Sequence, residues 1–182
     1  MGKALCIIDM VNDFITPSGK LYFARGQGAV ESIVRIKAAF RAAGLPVLYG
    51  NDAHPANSLE FAAWGSHCVV GSPGAGIIPE LSPEPGDIVL HKDSMSIFQN
   101  PFSGQILRGL GVTQLCLVGV ATEYSVRHCA LDAVLHDFHP VVISDAIADV
   151  EERPGDAGQA LEAMRRAGVS FASAEALLAD LR

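Results

Sequence analysis

The sequence lacks the long apolar run that a membrane span needs: nowhere in its 182 residues do apolar side chains continue for the ~20 positions that cross a bilayer. Cysteine is sparse. Cys6, Cys68, Cys116 and Cys129 form no CxxC pair, and Cys6 and Cys116 sit inside apolar runs, where a reduced thiol behaves as a small hydrophobe. That usage argues against a disulfide framework and points to a reducing, cytoplasmic compartment. Basic charge is short as well: 13 Lys and Arg against 20 Asp and Glu leave a net charge of −7, with no basic run to follow a phosphate backbone. A small-molecule substrate is therefore expected, with no nucleic-acid and no membrane partner. The opening stretch MGKALCIIDM meets an acidic residue too early for a signal peptide. Internal repeats and low-complexity tails are also missing.

What is present is regular alternation. Hydrophobic residues make up 49% of the chain, enough to bury a sizeable core in one domain spanning 1–182. ALCIID (4–9), LPVLYGND (45–52), DIVLHK (87–92), QLCLVGV (114–120) and PVVISDA (140–146) read as strands, and 169–172 as a short further one. Between them AVESIVRIKAAFRAA (29–43, closed by Gly44), SGQILRGL, a run from about Tyr124, DAGQALEAMRRAG and AEALLADLR read as helices. Strand and helix alternate throughout, which predicts an α/β fold: three layers, α/β/α, with a central and mostly parallel sheet of about six strands. From Asp52 to Gly86 the periodicity is weak and Pro, Gly, Ser and Ala dominate. A stretch of this length without regular structure is usually functional.

In an open parallel sheet, functional groups gather where strands end. Asp9 follows the first strand, Asp52 ends the second, Lys92 ends the third, and residues 120–125 follow the fourth. Carboxylate, ammonium and hydroxyl thus converge on one edge. Each has a plain alternative: Asp9 as a loop cap, Lys92 as a solvated cation, Ser125 as a helix N-cap. Their conjunction favours a site. A second cluster lies in NDAHPANSLEFAAWGSHC. Asp52 and His54 are two residues apart at a strand end and can turn toward one ion, with Glu60 and His67 further along. Carboxylate plus imidazole suits Zn, Fe or Mn; the alternative is a turn-forming Asp52 and histidines bonded to backbone. Phe14 and Trp64, the only tryptophan, could hold a flat ring or simply pack.

Taken together, DMVNDF, NDAHPAN…WGSHCVVGSPGA, HKDSMSIF and GVATEYSVRHCALDA resemble, in order and over nearly the whole chain, the isochorismatase-like cysteine hydrolases. Within them the set is most similar to the nicotinamidase (pyrazinamidase) branch. The resemblance implies a metal-dependent amidase that hydrolyses nicotinamide and pyrazinamide-like pyridine carboxamides through a covalent acyl-enzyme, in NAD salvage. It implies Asp9 as general base, Lys92 as its ion-pair partner beside the nucleophile, and Ser125 in the place of the catalytic cysteine. The amides of Ala121 and Ser125 would form the oxyanion hole, with a cis peptide between Val120 and Ala121. Asp52, His54 and His67 match ligands of one divalent ion, zinc first and iron or manganese otherwise, and Glu60 resembles the fourth ligand of some members. Phe14, Trp64, Val120 and Tyr124 match substrate contacts. Members are often oligomers, so a homo-oligomer is compatible with the resemblance. The sequence departs from the family at Val11, often glutamine, at Ser58, a ligand histidine in some members, and at Ser125.

The last departure bears on rate. A helix N-terminus and a nearby lysine bring a thiol well below its free value of about 8.5. Serine in the same field stays protonated and normally relies on an adjacent base; the pattern offers Asp9, weak unless burial raises its pKa. Slow turnover is expected from the chain as written. Two origins fit, a serine introduced for a native cysteine, favoured by the otherwise intact site, or a natural serine in a weak enzyme or a silent pyridine-binding relative. Another amide, such as a carbamoyl compound, is the alternative substrate. Cys129, one turn further along the helix, is expected in the core.

Overall fold

The computed structural model describes residues 2–150 and 155–181. Its strands are β1 (Gly2–Ile8), β2 (Val47–Asp52), β3 (Ile88–Lys92), β4 (Val112–Val120), β5 (His139–Ala148) and β6 (Ser170–Ala172). They form one sheet in the order β3-β2-β1-β4-β5-β6, with every neighbouring pair parallel. The helices are α1 (Asn12–Ile15), α2 (Arg25–Ala42), α3 (Phe61–Trp64), α4 (Ser103–Gly109), α5 (Arg127–Leu135), α6 (Asp156–Arg166) and α7 (Ala174–Asp180).

The two central strands are covered on both faces, so their side chains do not alternate: Ala4 through Ile8 and Leu115 through Val118 are all fully buried. On one face α2 buries Ala29, Ile33, Ile36 and Phe40, the stripe that a 3.6-residue period presents, and packs beside α7 against β5. Gly44 follows α2 at φ +66°, the left-handed C-terminal position where a Cβ would be strained. This helix starts before the expected residue 29, because Gly26 and Gly28 dilute the helical signal of its first turn. The opposite face is covered by α4, α5 and α6, which bury Leu107, Cys129, Ala130, Ala133 and Met164. The result is the three-layer α/β/α arrangement that the alternation predicts.

The chain builds outward from β1 to β3 and then returns to lay β4 on the other side of β1. The carboxyl ends of β1 and β4 therefore flank a topological switch point, where open α/β sheets open a crevice. Strand β4 runs so close to β1 that a Cβ on Gly119 would lie 2.0 Å from the Ile8 carbonyl oxygen, and Gly119 has φ +126°. Gly119→Ala is expected to lower stability by more than ~3 kcal/mol in urea unfolding. A loss below ~0.5 kcal/mol, the size of an ordinary surface change, would show that the strand simply backs away. The weakly periodic stretch after β2 holds α3 and two 3-10 turns, Pro73–Ala75 and Pro79–Leu81, and folds over the crevice together with α1.

Candidate active site

Parallel register sets Asp52 of β2 directly beside Lys92 of β3, and the short turn after β1 brings Asp9 to both. Lys92 is 3% exposed. Its ammonium donates to Asp52 Oδ1, lies 2.8 Å from Asp9 Oδ2, and donates to Ser125 Oγ at 3.3 Å. Asp9 Oδ1 accepts from the Asp52 amide at 2.8 Å. Burial pushes the Asp9 carboxyl up and the charge of Asp52 adds to it, against Lys92 and the Ser125 hydroxyl, to about 6. Burial also works against the Lys92 cation, but the two carboxylates outweigh it and hold the ammonium charged. For Asp52 burial is likewise overridden, by Lys92, and its carboxyl stays below the usual range. Of the two carboxyls beside Lys92, Asp9 is the one raised above its usual range. Lys92 is committed as a cation.

Ser125 sits in a π-helical turn, Thr122–Val126, between β4 and α5. The chain enters it through Ala121 in the left-handed region, φ +61°, and the amides of Tyr124 and Val126 both donate to the Ala121 carbonyl. No cis peptide occurs among the described residues, so the expected cis bond between Val120 and Ala121 is corrected: the left-handed dihedrals of Ala121 make the reversal instead. The expectation for Val120 is also corrected. As the last residue of β4 it is fully buried on the α2 side, where a Cβ on Gly26 would lie 3.3 Å from its methyl, and it lines no part of the crevice. Asp9, Cys68 and Ala121 are three of the four non-glycine residues with positive φ among those described. Such strain clusters at functional sites. Glu123, 6% exposed, accepts from the Val150 amide at 3.0 Å and ties the turn to the crevice wall.

Asp52, His54 and His67 are all buried, with one ligand atom of each within 4.8 Å of the others. His54 Nε2 is buried 3.5 Å from Asp52 Oδ2 and has no hydrogen-bond partner among the described residues. The other ring nitrogens are engaged: His54 Nδ1 lies 2.6 Å from Asp93 Oδ1, and His67 Nδ1 donates to the Gly65 carbonyl at 2.8 Å. An orphaned buried imidazole nitrogen beside a carboxylate and a second imidazole, each ring oriented by an outer partner, fits a divalent cation. Burial disfavours a charged His54, yet Asp52 and Asp93 override it and raise its pKa to about 9. Metal binding would displace that proton. Glu60 lines the crevice but stands outside the three-residue ligand group, acting on His54 through charge alone. Ser58 donates to Asp93 at 3.3 Å.

The crevice, about 370 Å³, joins Ser125 to the Asp52–His67 group. Phe14, Trp64 and Tyr124 line it, Trp64 and Tyr124 edge to face at 5.1 Å and Phe14 at 5.7 Å from the His67 ring. Lys20, Tyr22, Met95 and Val150 also line it and were not anticipated, because their segments carry no periodic signal. Asp93 was missed as well. The available signal was a carboxylate immediately after the strand-terminal lysine. Cys129 is fully buried in the core beneath α5, and burial pushes its thiol up to about 11.

Known proteins resemble this chain in sequence and fold. The nicotinamidase of Escherichia coli K12 is 29% identical, over 93% of this chain and 93% of its own length. The crystal structure of the pyrazinamidase of Pyrococcus horikoshii in complex with zinc is 31% identical with a TM-score of 0.88, covering 95% of this chain and 99% of that one. N-carbamoylsarcosine amidase from Thermoplasma acidophilum is 32% identical with a TM-score of 0.87, covering 96% and 98%. These relatives are amide hydrolases, and the Isochorismatase domain family matches residues 3–176 of this chain. The chain belongs to the isochorismatase-like hydrolase family.

Proposed function

We propose that this protein is a metal-dependent amidase for nicotinamide and related pyridine carboxamides, with Ser125 in the position of the nucleophile. The observation that carries the reading is a single aromatic-walled crevice that connects residue 125 to a buried Asp-His-His group with an orphaned imidazole nitrogen. The ring would lie among Phe14, Trp64 and Tyr124, its amide carbon at residue 125. Asp9, raised to about 6, would take the nucleophile's proton and return it to the departing ammonia. The amides of Ala121 and Ser125 would stabilise the oxyanion, while Lys92 holds a positive charge beside the attacking atom. A divalent ion, zinc first, on Asp52, His54 and His67, with Glu60 as fourth ligand, would supply Lewis acidity and an anchor for the ring or a water. Cytoplasmic pyridine-nucleotide salvage is the context that fits this chemistry.

One observation favours a second reading. Lys20 and Tyr22 line the crevice and bring a cation and a hydroxyl to its wall. They suit an amide whose acyl part carries an acid, the kind of compound named in N-carbamoylsarcosine amidase. Trp64 is the only tryptophan and lines the crevice, so its fluorescence reports binding without turnover. Saturable quenching of the zinc-loaded serine form by nicotinamide is expected. Quenching by carbamoyl acids but not by nicotinamide would sink the pyridine reading and favour the second.

A further inference from the structure

Two carboxylates of the DMVNDF segment are buried, and the chemistry above uses only Asp9. The other, Asp13 of α1, is 5% exposed and carries no ion pair among the described residues. Backbone amides satisfy it instead. Oδ2 accepts from the Cys68 amide at 2.7 Å and Oδ1 from the Lys20 amide at 3.2 Å, while the Asp13 main-chain carbonyl accepts from Leu21 at 3.0 Å. A third segment closes on the same group: a Cβ on Gly74 would lie 2.2 Å from Oδ2. One side chain thus joins the crevice wall at residues 19–23, the loop at 67–68 and the turn Pro73–Ala75.

The Cys68 peptide is the crossing point. Its amide is held by Asp13, it follows His67 directly, and its carbonyl accepts from the His54 amide at 2.9 Å. Cys68 is held in the left-handed region, φ +43°, which a residue with a Cβ adopts only at a cost. A carboxylate accepting two N–H bonds is among the stronger hydrogen-bonded anchors, and it fixes direction as well as distance. We propose that Asp13 is a positioning residue for the candidate metal ligands: by holding the Cys68 peptide it sets the spacing of His54 and His67, and it couples that spacing to the wall carrying Lys20 and Tyr22. The inference rests on the metal-site reading of Asp52, His54 and His67.

In Asp13→Asn one acceptor becomes an NH₂, so one of the two amides faces a donor. The test is cobalt(II) affinity, read from ligand-field absorption of the metal-stripped full chain, alongside thermal unfolding of the metal-free proteins. Cobalt dissociation constants weaker by about 10- to 100-fold, with a changed absorption spectrum, are expected for folded Asp13→Asn. Gly74→Ala, which leaves the carboxylate's charge and displaces it, is expected to weaken binding in the same direction and carries the test if Asp13→Asn does not fold. An unchanged dissociation constant and spectrum in folded Asp13→Asn, or in Gly74→Ala if only that variant folds, overturns the proposal, whatever the melting temperature does. If the parent chain binds no cobalt, the metal-site reading fails first and the proposal falls with it.

Discussion

With Ser125 exchanged for cysteine, the zinc-loaded protein is expected to hydrolyse its amide substrate at least about 10³-fold faster than the serine form, roughly 4 kcal/mol of barrier. The site is arranged for an anion at residue 125. Lys92, held as a cation by Asp9 and Asp52, lies 3.3 Å from Oγ, and the residue occupies the first turn ahead of α5. A thiol is drawn toward its thiolate by such a field; an alcohol starts too high to follow. Asp9 at about 6 is a better base than an exposed carboxylate, so the serine form is expected to be slow and not wholly silent. Side-by-side kcat values under saturating substrate decide the matter. Equal rates for the two forms would mean that residue 125 is not the attacking group.

Lys92→Met has the second large effect, and it is read in stability. Asp9 is 0% exposed and Asp52 6%, and Lys92 is the cation between them. Its removal leaves two buried carboxylates facing each other without compensation. Breaking a buried pair by deleting one partner costs about 3–5 kcal/mol, far more than the intact pair contributes over an apolar replacement. Urea unfolding of the metal-free proteins is the right comparison, because a cation bound at Asp52 would replace part of the lost charge. A loss below ~1 kcal/mol would show that the triad is solvated or protonated enough to tolerate the deletion.

The sheet was legible because its signal is local. Buried parallel strands such as ALCIID and QLCLVGV are continuous apolar runs, and α2 carries its buried stripe in plain 3.6-residue spacing. Strand ends then marked Asp9, Asp52, Lys92 and residue 125, and the parallel register converts those ends into neighbours. What escaped was non-local or conformational. Asp13 and Asp93 matter through bonds to Cys68 and His54, 55 and 39 positions away, which no spacing announces. Lys20 and Tyr22 line the crevice from the loop after α1, where the Lys20 amide donates to Asp13, a contact no local pattern signals. The expected cis bond gave way to left-handed dihedrals at Ala121, and Val120 was placed on the site although its side chain belongs to the core. Glu60, which resembles the fourth metal ligand of some family members, lines the same crevice outside the converged group of Asp52, His54 and His67.

The decisive measurement is ammonia release from nicotinamide by the Ser125→Cys protein, zinc-loaded, metal-stripped and reloaded. Rapid release with zinc, loss on stripping and recovery on reloading are expected of a metal-dependent amidase for pyridine carboxamides. No release from nicotinamide by the loaded cysteine form, in a protein that hydrolyses another amide, would contradict the pyridine assignment; undiminished release after stripping would contradict the role given to Asp52, His54 and His67.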